Sequence, residues 1–203
     1  MEKTKKLGNR EKLLWAALAC LRDKGYARTT ARDLVAASGT NLASIGYHFG
    51  SKEALLHEAL AESFRAWSAE IERAAFAVEE ASASERLERS LVTMLDRLEE
   101  IRPFLASFVE AFPPAVRSPE LRKGMAEAYE ELRAGAADMI LRALETDGME
   151  LSREHAETIA SVMMAVFDGL ILQYLLDPDR VPSSRQVMDA LEAALPAFGG
   201  SRK

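Results

Sequence analysis

Four polar residues in the first quarter of the chain have the types and the spacing to contact nucleic acid. They are Asn41, Ser44, Tyr47 and His48. On a helix these positions lie along one face. An asparagine amide can form two hydrogen bonds with adenine, and hydroxyl and imidazole groups can bind phosphate oxygens. The small neighbours Ala43 and Gly46 leave room for a close approach to a groove.

Two short helices must position these side chains. The segment TARDLVAASG precedes TNLASIGYHF, which gives a helix, a glycine turn at Gly39 and a second short helix. This spacing is typical of a helix-turn-helix. The apolar residues of the pair are expected to pack against the preceding helix, and they are Leu34, Val35, Leu42, Ile45 and Phe49.

Helical patterns continue through the rest of the chain. Apolar residues recur at helical spacing, Ala, Leu, Glu and Arg dominate, and strand signals are nearly absent. We therefore predict an all-α protein of about nine helices. A long helix over 52–80 is expected to join the N-terminal helices to the rest. A break or a kink is expected at Pro103, and a helix end at Pro113–Pro114. Further helices are predicted at about 8–24, 31–38, 41–48, 82–100, 119–145, 153–176 and 184–195.

Charge and cysteine content narrow the class of protein. Residues 1–57 carry a net charge of +5 and the remainder carries −11. A basic head on an acidic body fits a polyanion partner for the head, and it also fits an ordinary solvated charge pattern. The single cysteine, Cys20, excludes an internal disulfide framework and a cysteine-based zinc site. We expect a cytoplasmic protein without a metal or cofactor.

Two segments superficially resemble membrane signals. Residues 1–20 place lysines before an apolar run that ends at Cys20, but the run continues into an amphipathic helical pattern. Residues 160–176 are apolar but short for a membrane span, and they include Asp168 and Gln173. Both segments are interpreted as helices of a folded core, and no membrane partner is expected.

Enzyme signatures are absent from the sequence. It has no glycine-rich phosphate loop, no Cys or His pair with metal-ligand spacing and no nucleophile elbow. The three histidines, His48, His57 and His155, are scattered. A helical enzyme and a helical adaptor without a DNA role remain the alternatives to a DNA-binding regulator.

A linked series of short motifs lies within residues 8–68: Gly25-Tyr26, Thr29-Thr30, Gly39, Tyr47-His48-Phe49 and Ser51-Lys52-Glu53. This series resembles the DNA-binding domain of the TetR (tetracycline-repressor) family of bacterial transcription regulators. The resemblance implies a helix-turn-helix at about 30–49, a DNA-binding domain over 8–68 and a ligand-binding and dimerisation domain over 69–198. One departure is Gly46, where family members often have an aromatic residue.

The predicted contacts with double-stranded operator DNA divide into bases and phosphates. Asn41 and Ser44 are expected to contact bases, and Thr40 a base or a phosphate. The residues expected to hold phosphates or to add affinity independent of sequence are Arg28, Thr30, Arg32, Tyr47, His48 and Lys52. Lys3, Lys5 and Lys6 fit an arm that reaches an adjacent groove, and they fit a disordered tail equally well.

The body is expected to form a homodimer. Apolar residues of the helix 153–176 cover more than one face, so this helix needs burial on two sides, either within its own core or against a second copy. Two helices from each subunit would form a two-fold, four-helix interface. The predicted interface residues are Val162, Val166, Leu170, Tyr174, Met188, Leu191 and Leu195.

The family resemblance also implies a pocket for a small-molecule effector, expected to be apolar or amphipathic. Its predicted lining is Trp67, Met94, Phe104, Phe108, Met125, Tyr129, Phe167 and Asp168. Aromatic and methionine side chains suit an adaptable pocket, and they suit an ordinary core as well. Glu110, Asp138 and Asp168 are consistent with a preference for cationic ligands. The expected function is a repressor that the effector releases from DNA.

Overall fold

Helices joined by short turns form the part of the chain that the structure describes. The computed structural model describes residues 8–198, and side chains as far as residue 194. Between residues 8 and 198 there is no β-strand, as predicted. The helices are α1 (Asn9–Lys24), α2 (Ala31–Ser38), α3 (Leu42–Phe49), α4 (Lys52–Ala75), α5 (Ala83–Asp96), α6 (Leu98–Arg117), α7 (Pro119–Thr146), α8 (Arg153–Leu176) and α9 (Ser184–Phe198), with one 3₁₀ turn at Pro178–Arg180.

Small polar residues set the starts of several helices. The side chains of Thr30, Asn41, Ser82 and Ser152 each accept a hydrogen bond from a backbone amide of the first turn, at the starts of α2, α3, α5 and α8. Such a cap satisfies an amide that has no partner inside the helix. The predicted starts at Thr30 and Ser152 are confirmed. Asn41, expected inside a helix over 41–48, is instead its N-cap.

The predicted helix end at Pro113–Pro114 is wrong, and of the two alternatives at Pro103, a break or a kink, the break is wrong. All three prolines lie inside α6, and the chain breaks earlier, at Arg97 between α5 and α6. A proline within a helix removes one hydrogen bond and costs about 3 kcal/mol. Burial of the inner face of α6 offsets this cost, and that face includes Leu105, Ser107, Ala111 and Ala115.

The predicted long helix over 52–80 is shorter than expected because a buried arginine closes its end. Helix α4 stops at Ala75, and the Arg86 guanidinium donates to the carbonyl oxygens of Ala75 at 3.3 Å and Glu79 at 2.7 Å. The same guanidinium lies 4.6 Å from the centroid of the Phe76 ring. The bond to Ala75 satisfies a carbonyl that the end of the helix leaves without a partner, and the bond to Glu79 holds the turn that leads to α5.

The chain folds into two compact units. Within the described residues, unit 1 consists of 8–66 and 101–131, and unit 2 of 67–100 and 132–198. Helices α4, α6 and α7 contribute residues to both units. Unit 1 therefore contains residues 101–131 in addition to almost all of the predicted DNA-binding domain.

The core of unit 1 lies under the helix-turn-helix. Its buried members come from α1, α2, α3, α4 and α6, and they include Leu13, Leu21, Leu34, Ile45, Leu55, Leu56 and Ala111. Helix α6 is also tied to α1 and to the turn after it. Ser107 Oγ donates to the Leu21 carbonyl oxygen at 3.2 Å, and Glu110 Oε2 accepts from the Ala27 amide at 2.8 Å. Burial and hydrogen bonds thus hold the N-terminal helices as one body.

Unit 2 is built around close contacts of α7 and α8. Ala137, Ala156 and Ala160 are fully buried against one another, with Ile140 and Leu141 packed beside them. Farther along α8, the Tyr174 hydroxyl donates to Glu99 Oε2 at 2.6 Å. Small residues at the α7 contact leave the larger apolar residues of α8 to other faces of the helix.

Candidate nucleic-acid interface

The turn between α2 and α3 sets the direction of α3 relative to α2. Gly39 ends α2 in the left-handed region, with φ of 65°, and its amide donates to the Val35 carbonyl oxygen at 3.0 Å. A residue with a Cβ is strained in this conformation, which explains a glycine here. The Thr40 amide donates to Ser38 Oγ, the hydroxyls of Ser38 and Thr40 share a hydrogen bond, and Asn41 Oδ1 then accepts from the Ser44 amide. Helix α3 is therefore fixed at its start by local bonds.

The start of α2 is held by a capping box. The Thr30 amide and hydroxyl both donate to Asp33 Oδ2, at 2.9 and 2.6 Å, and the Thr30 hydroxyl oxygen accepts from the Asp33 amide. The ammonium of Lys24 also bonds the Asp33 carboxylate. Hydrogen bonds from Lys24 and then from Thr30 hold the pKa of Asp33 well below its usual range. Asp33 is therefore ionised at neutral pH, and its negative charge interacts favourably with the positive, N-terminal end of the α2 dipole.

Thr29 connects the turn after α1 to the start of α2, a role that was not predicted from the sequence. Its side chain is buried, and its hydroxyl donates to the Gly25 carbonyl oxygen at 2.7 Å. Its own carbonyl oxygen accepts from Lys52 Nζ at 3.0 Å, and Lys52 also pairs with Glu53 at 3.2 Å. The predicted phosphate-binding Lys52 therefore bonds the start of α2 in this structure. An ammonium group has three donors, so these contacts do not use up its capacity.

The structure corrects which residues of α3 face outward. Ser44 was expected on the exposed face, but only 8% of it is accessible, and its hydroxyl donates to Asn41 Oδ1 at 3.2 Å. Leu42 was expected in the core, but 57% of it is exposed. The prediction is therefore wrong for both residues. The exposed face consists of Leu42, Ala43, Gly46 and Tyr47.

Ser44 is buried and Leu42 is exposed because of the position of the N-cap. Because Asn41 precedes the helix and its side chain bends back to the Ser44 amide, the first turn places Ser44 and Ile45 against the core. A buried serine is tolerated where its hydroxyl is hydrogen-bonded locally. The pattern of residue types predicts that apolar residues face inward, and Leu42 does not follow that rule.

The other predicted DNA contacts lie around this face. Tyr47 is 86% exposed, and its ring meets the His48 ring edge-on with centroids 4.9 Å apart. His48 and Thr40 are half-buried, whereas Arg28, Thr30, Arg32 and Asn41 are exposed. All nine predicted residues belong to unit 1. The lysines of the predicted arm lie outside the described residues.

The predicted ligand-pocket residues divide between the two units. In unit 1, Phe104, Phe108 and Met125 pack on the core, and the Phe108 and Tyr129 rings stack with centroids 6.2 Å apart. In unit 2, the Trp67 and Phe167 rings lie 5.1 Å apart. Met94 and Asp168 are also in unit 2, and both are half-buried.

Glu110 and Asp138, which were considered for cationic ligands, both have protein partners. Glu110 accepts from the Ala27 amide, and Asp138 pairs with Arg153 at 2.6 Å. A charged group that already holds a protein partner contributes less to a ligand. These contacts weaken the suggestion of cation binding by Glu110 and Asp138.

Helix α8 exposes an apolar face in the protomer. Val162 is 59% exposed and Val166 is 55% exposed, with Ile159, Met163, Leu172 and Leu176 also exposed. Among the described helices, α8 is long and apolar enough to cross a membrane, and only 22% of its most apolar window is buried within the protomer, less than the predicted core helix requires. The predicted interface residues Leu170, Tyr174 and Met188 are buried within the protomer, so the structure removes them from an outer surface. Leu191 is exposed, and the side chain of Leu195 lies outside the described residues.

Comparisons with known proteins agree with this arrangement. Residues 13–59 match the family model described as "Bacterial regulatory proteins, tetR family", and residues 83–198 match the model described as "BetI-type transcriptional repressor, C-terminal". The HTH-type transcriptional regulator CymR of Pseudomonas putida is 30% identical over 190 residues, which cover 90% of this chain and 87% of that protein.

Solved structures show the same fold with different small molecules bound. A transcriptional regulator from Saccharomonospora viridis in complex with choline has a TM-score of 0.64 at 24% identity, with 92% of this chain and 95% of that chain covered. The regulator FadR from Bacillus subtilis in complex with stearoyl-CoA has a TM-score of 0.63 at 14% identity, with 91% and 96% covered. Together with the helix-turn-helix of unit 1, the family matches establish that the chain belongs to the tetR family of bacterial regulatory proteins and is a DNA-binding transcriptional regulator, not an enzyme.

Proposed function

We propose that the protein is a homodimeric repressor that binds a near-palindromic operator in the bacterial cytoplasm and leaves it when a small molecule binds. The observation that carries the proposal is the pair of exposed surfaces on one chain. Helix α3 presents a face that can enter a major groove, and α8 presents an apolar face of the kind that a second copy can cover.

Contacts with the DNA backbone come from the residues around α3. Arg28 and Arg32 are exposed and positively charged, and the Tyr47 hydroxyl stands clear of the protein surface. Such groups position a helix-turn-helix on phosphates without selecting a sequence. The +5 charge of residues 1–57 favours the same partner. Thr30, Thr40, His48 and Lys52 stay in the proposed contact set.

Asn41 has a narrower role in this proposal than two-point pairing with adenine. Its Oδ1 accepts hydrogen bonds from both the amide and the hydroxyl of Ser44. Pairing with adenine needs that oxygen as an acceptor for the base amino group. The Nδ2 group retains its donors for a purine N7 or a carbonyl oxygen. We therefore assign Asn41 a donor role and remove Ser44 from the base contacts.

A second copy is the proposed occupant of the apolar face of α8. A membrane is the other apolar environment, but the helix carries Asp168 and Gln173 in its second half, and the family consists of DNA-binding regulators. A two-fold dimer supplies two α3 helices. Such a dimer binds half-sites about 34–36 Å apart, one turn of DNA.

The effector is proposed to be an apolar or amphipathic small molecule. Buried Trp67 and half-buried Phe167 in unit 2 form an aromatic pair of the kind that lines a site for such a molecule, and the regulators in complex with choline and stearoyl-CoA have the same fold. An effector that binds the DNA-incompetent state more tightly shifts the population away from DNA.

The proposal is tested by selecting bound DNA from a random pool with the full-length protein. We expect a recovered site with inverted half-sites, bound as one dimer. Affinity for it is expected to fall with salt at a slope of roughly −0.9 per phosphate neutralised. A library of small molecules is then screened for release of this DNA. Recovery of no common sequence, or affinity that is independent of salt, would falsify DNA recognition by α3.

A further inference from the structure

The outward face of α3 is poor in groups that can bond base edges. Leu42, Ala43 and Gly46 offer only carbon atoms, and Tyr47 has one hydroxyl. The two polar side chains at the start of the helix are bonded to each other, Ser44 Oγ to Asn41 Oδ1 at 3.2 Å. Hydrogen bonds from this helix can therefore distinguish few bases.

Leu42 is a large aliphatic residue exposed on this face. It lies in the first turn of α3 with 57% of its surface exposed, beside the open surface at Gly46, where an added Cβ would meet nothing within 4 Å. Exposing an apolar side chain of this size forgoes the free energy of burying it. A partner that covers Leu42 would recover that free energy.

The charge of the unit that carries Leu42 indicates the kind of partner. Arg28 and Arg32 are exposed in the same unit, and the first 57 residues are net positive, so a polyanion fits this surface better than an apolar protein surface does. In the major groove, the C5 methyl group of thymine is the apolar feature that a side chain can cover.

We propose that Leu42 recognises a thymine of the operator through its C5 methyl group, and that this apolar contact supplies sequence preference where hydrogen bonds are few. The inference rests on the proposed function, because it requires α3 in a major groove. Each protomer has one Leu42, so a two-fold complex has one such thymine in each half-site.

The size of the effect follows from the size of the group. Covering one methyl-sized group contributes about 0.8 kcal/mol, which is about four-fold in affinity. Replacing the thymine by deoxyuridine removes the methyl group and leaves the base pairing and the hydrogen-bonding edge unchanged. We expect about four-fold weaker binding for one half-site and about 16-fold for both.

The experiment uses the full-length protein and the site recovered from a random pool. Each thymine is replaced by deoxyuridine, one symmetry-related pair at a time, and the Kd is measured for the wild type, Leu42→Ala and Leu42→Met. We expect one pair of positions at which the wild type and Leu42→Met prefer thymine, whereas Leu42→Ala binds both DNAs equally. Val78→Ala, which shortens an exposed valine of unit 2, serves as the matched control and keeps the wild-type ratio.

The outcomes separate this inference from the proposed function. A wild type that recovers no sequence overturns both. A wild type that binds its site but shows no preference at any thymine overturns the methyl contact alone. The same holds if Leu42→Ala keeps the wild-type ratio of the two Kd values. Because Leu42 is exposed, its variants are expected to stay folded, which circular dichroism checks.

Discussion

Asn41 combines two roles that one substitution to alanine cannot separate. Its side chain caps α3 through Ser44, and its amide nitrogen is proposed to donate to a base. Removing an N-cap costs about 1 kcal/mol. A loss of DNA binding in Asn41→Ala could therefore result from loss of the N-cap hydrogen bond as well as from loss of the proposed base contact.

A pair of variants separates the two roles. Asn41→Ser keeps a capping oxygen and loses the amide donor, so we expect stability within about 0.5 kcal/mol of the wild type and about ten-fold weaker operator binding. Asn41→Ala is expected to lose about 1 kcal/mol of stability as well. Urea unfolding and titration of labelled operator give the two quantities. Unchanged affinity in Asn41→Ser would show that Asn41 is only a cap.

Asp33 makes the stability of the N-terminal helices depend on pH. Its pKa in the folded protein is depressed by Lys24 and then by Thr30, so folding favours the ionised carboxylate. The stabilising effect is present above the unfolded pKa of about 3.9 and is lost as the pH falls below it. We expect Asp33→Asn to be less stable than the wild type at pH 7, and this difference to shrink between about pH 4 and pH 2.

Urea unfolding at a series of pH values measures the Asp33 difference. Asp96→Asn, which changes an exposed carboxylate of α5, is the matched control and is expected to alter stability by less than about 0.5 kcal/mol. A difference between wild type and Asp33→Asn that persists unchanged at pH 2 would contradict a role for the ionised carboxylate.

Among the elements, the helix-turn-helix was the easiest to predict and its exposed face the hardest. Residues 31–38 were predicted as a helix and α2 has these bounds, because Thr30 and Gly39 are strong local signals. The exposure of Leu42 and the burial of Ser44 depend on tertiary packing and on a side-chain bond. Periodicity of residue types does not contain that information.

The backbone of helix α6 also depends on tertiary contacts that local residue patterns do not contain. The prolines predicted a break or a kink at Pro103 and a helix end at Pro113–Pro114, but a buried face from Leu105 to Ala115 keeps one helix through them. Local propensity is a weak prior where tertiary contacts oppose it. The contact partners of α6 in α1 are 80 or more residues away in sequence, as the bond from Ser107 to Leu21 shows.

The bond from Ser107 to Leu21 gives a test of how α6 supports α1. Ser107 is fully buried, and its hydroxyl donates to a carbonyl oxygen that also accepts from the Gly25 amide. Ser107→Ala is expected to lose about 1 kcal/mol, because one buried hydrogen bond disappears while the carbonyl keeps a partner. Ser161→Ala on α8 changes a serine bonded only within its helix and is expected to lose less than about 0.5 kcal/mol. Equal losses in urea unfolding would contradict a specific contribution from the α6 bond.

In the whole molecule, the charge asymmetry favours binding of a polyanion, and the apolar face of α8 favours association with a second copy. Residues 1–57 carry +5 and favour a polyanion, whereas the charge of −11 on the remainder is unfavourable for contact with DNA. In the proposed complex, one α3 helix would contact only a few base pairs. The proposed dimer would join two such contacts, so the second one would form at a high effective concentration.

The dimer is tested by placing a charge on the exposed face of α8. The double variant Val162→Glu/Val166→Glu should remain folded, because both side chains are exposed in the protomer, and it should sediment as a monomer because each charge would be buried unpaired in the interface. Its operator affinity is expected to fall roughly 100-fold or more, since the two half-sites are then bound independently. Val116→Glu, which changes an exposed valine of α6 in unit 1, is the control and stays dimeric. A wild type that sediments as a monomer, or a double variant that stays dimeric, would show that α8 is not the interface.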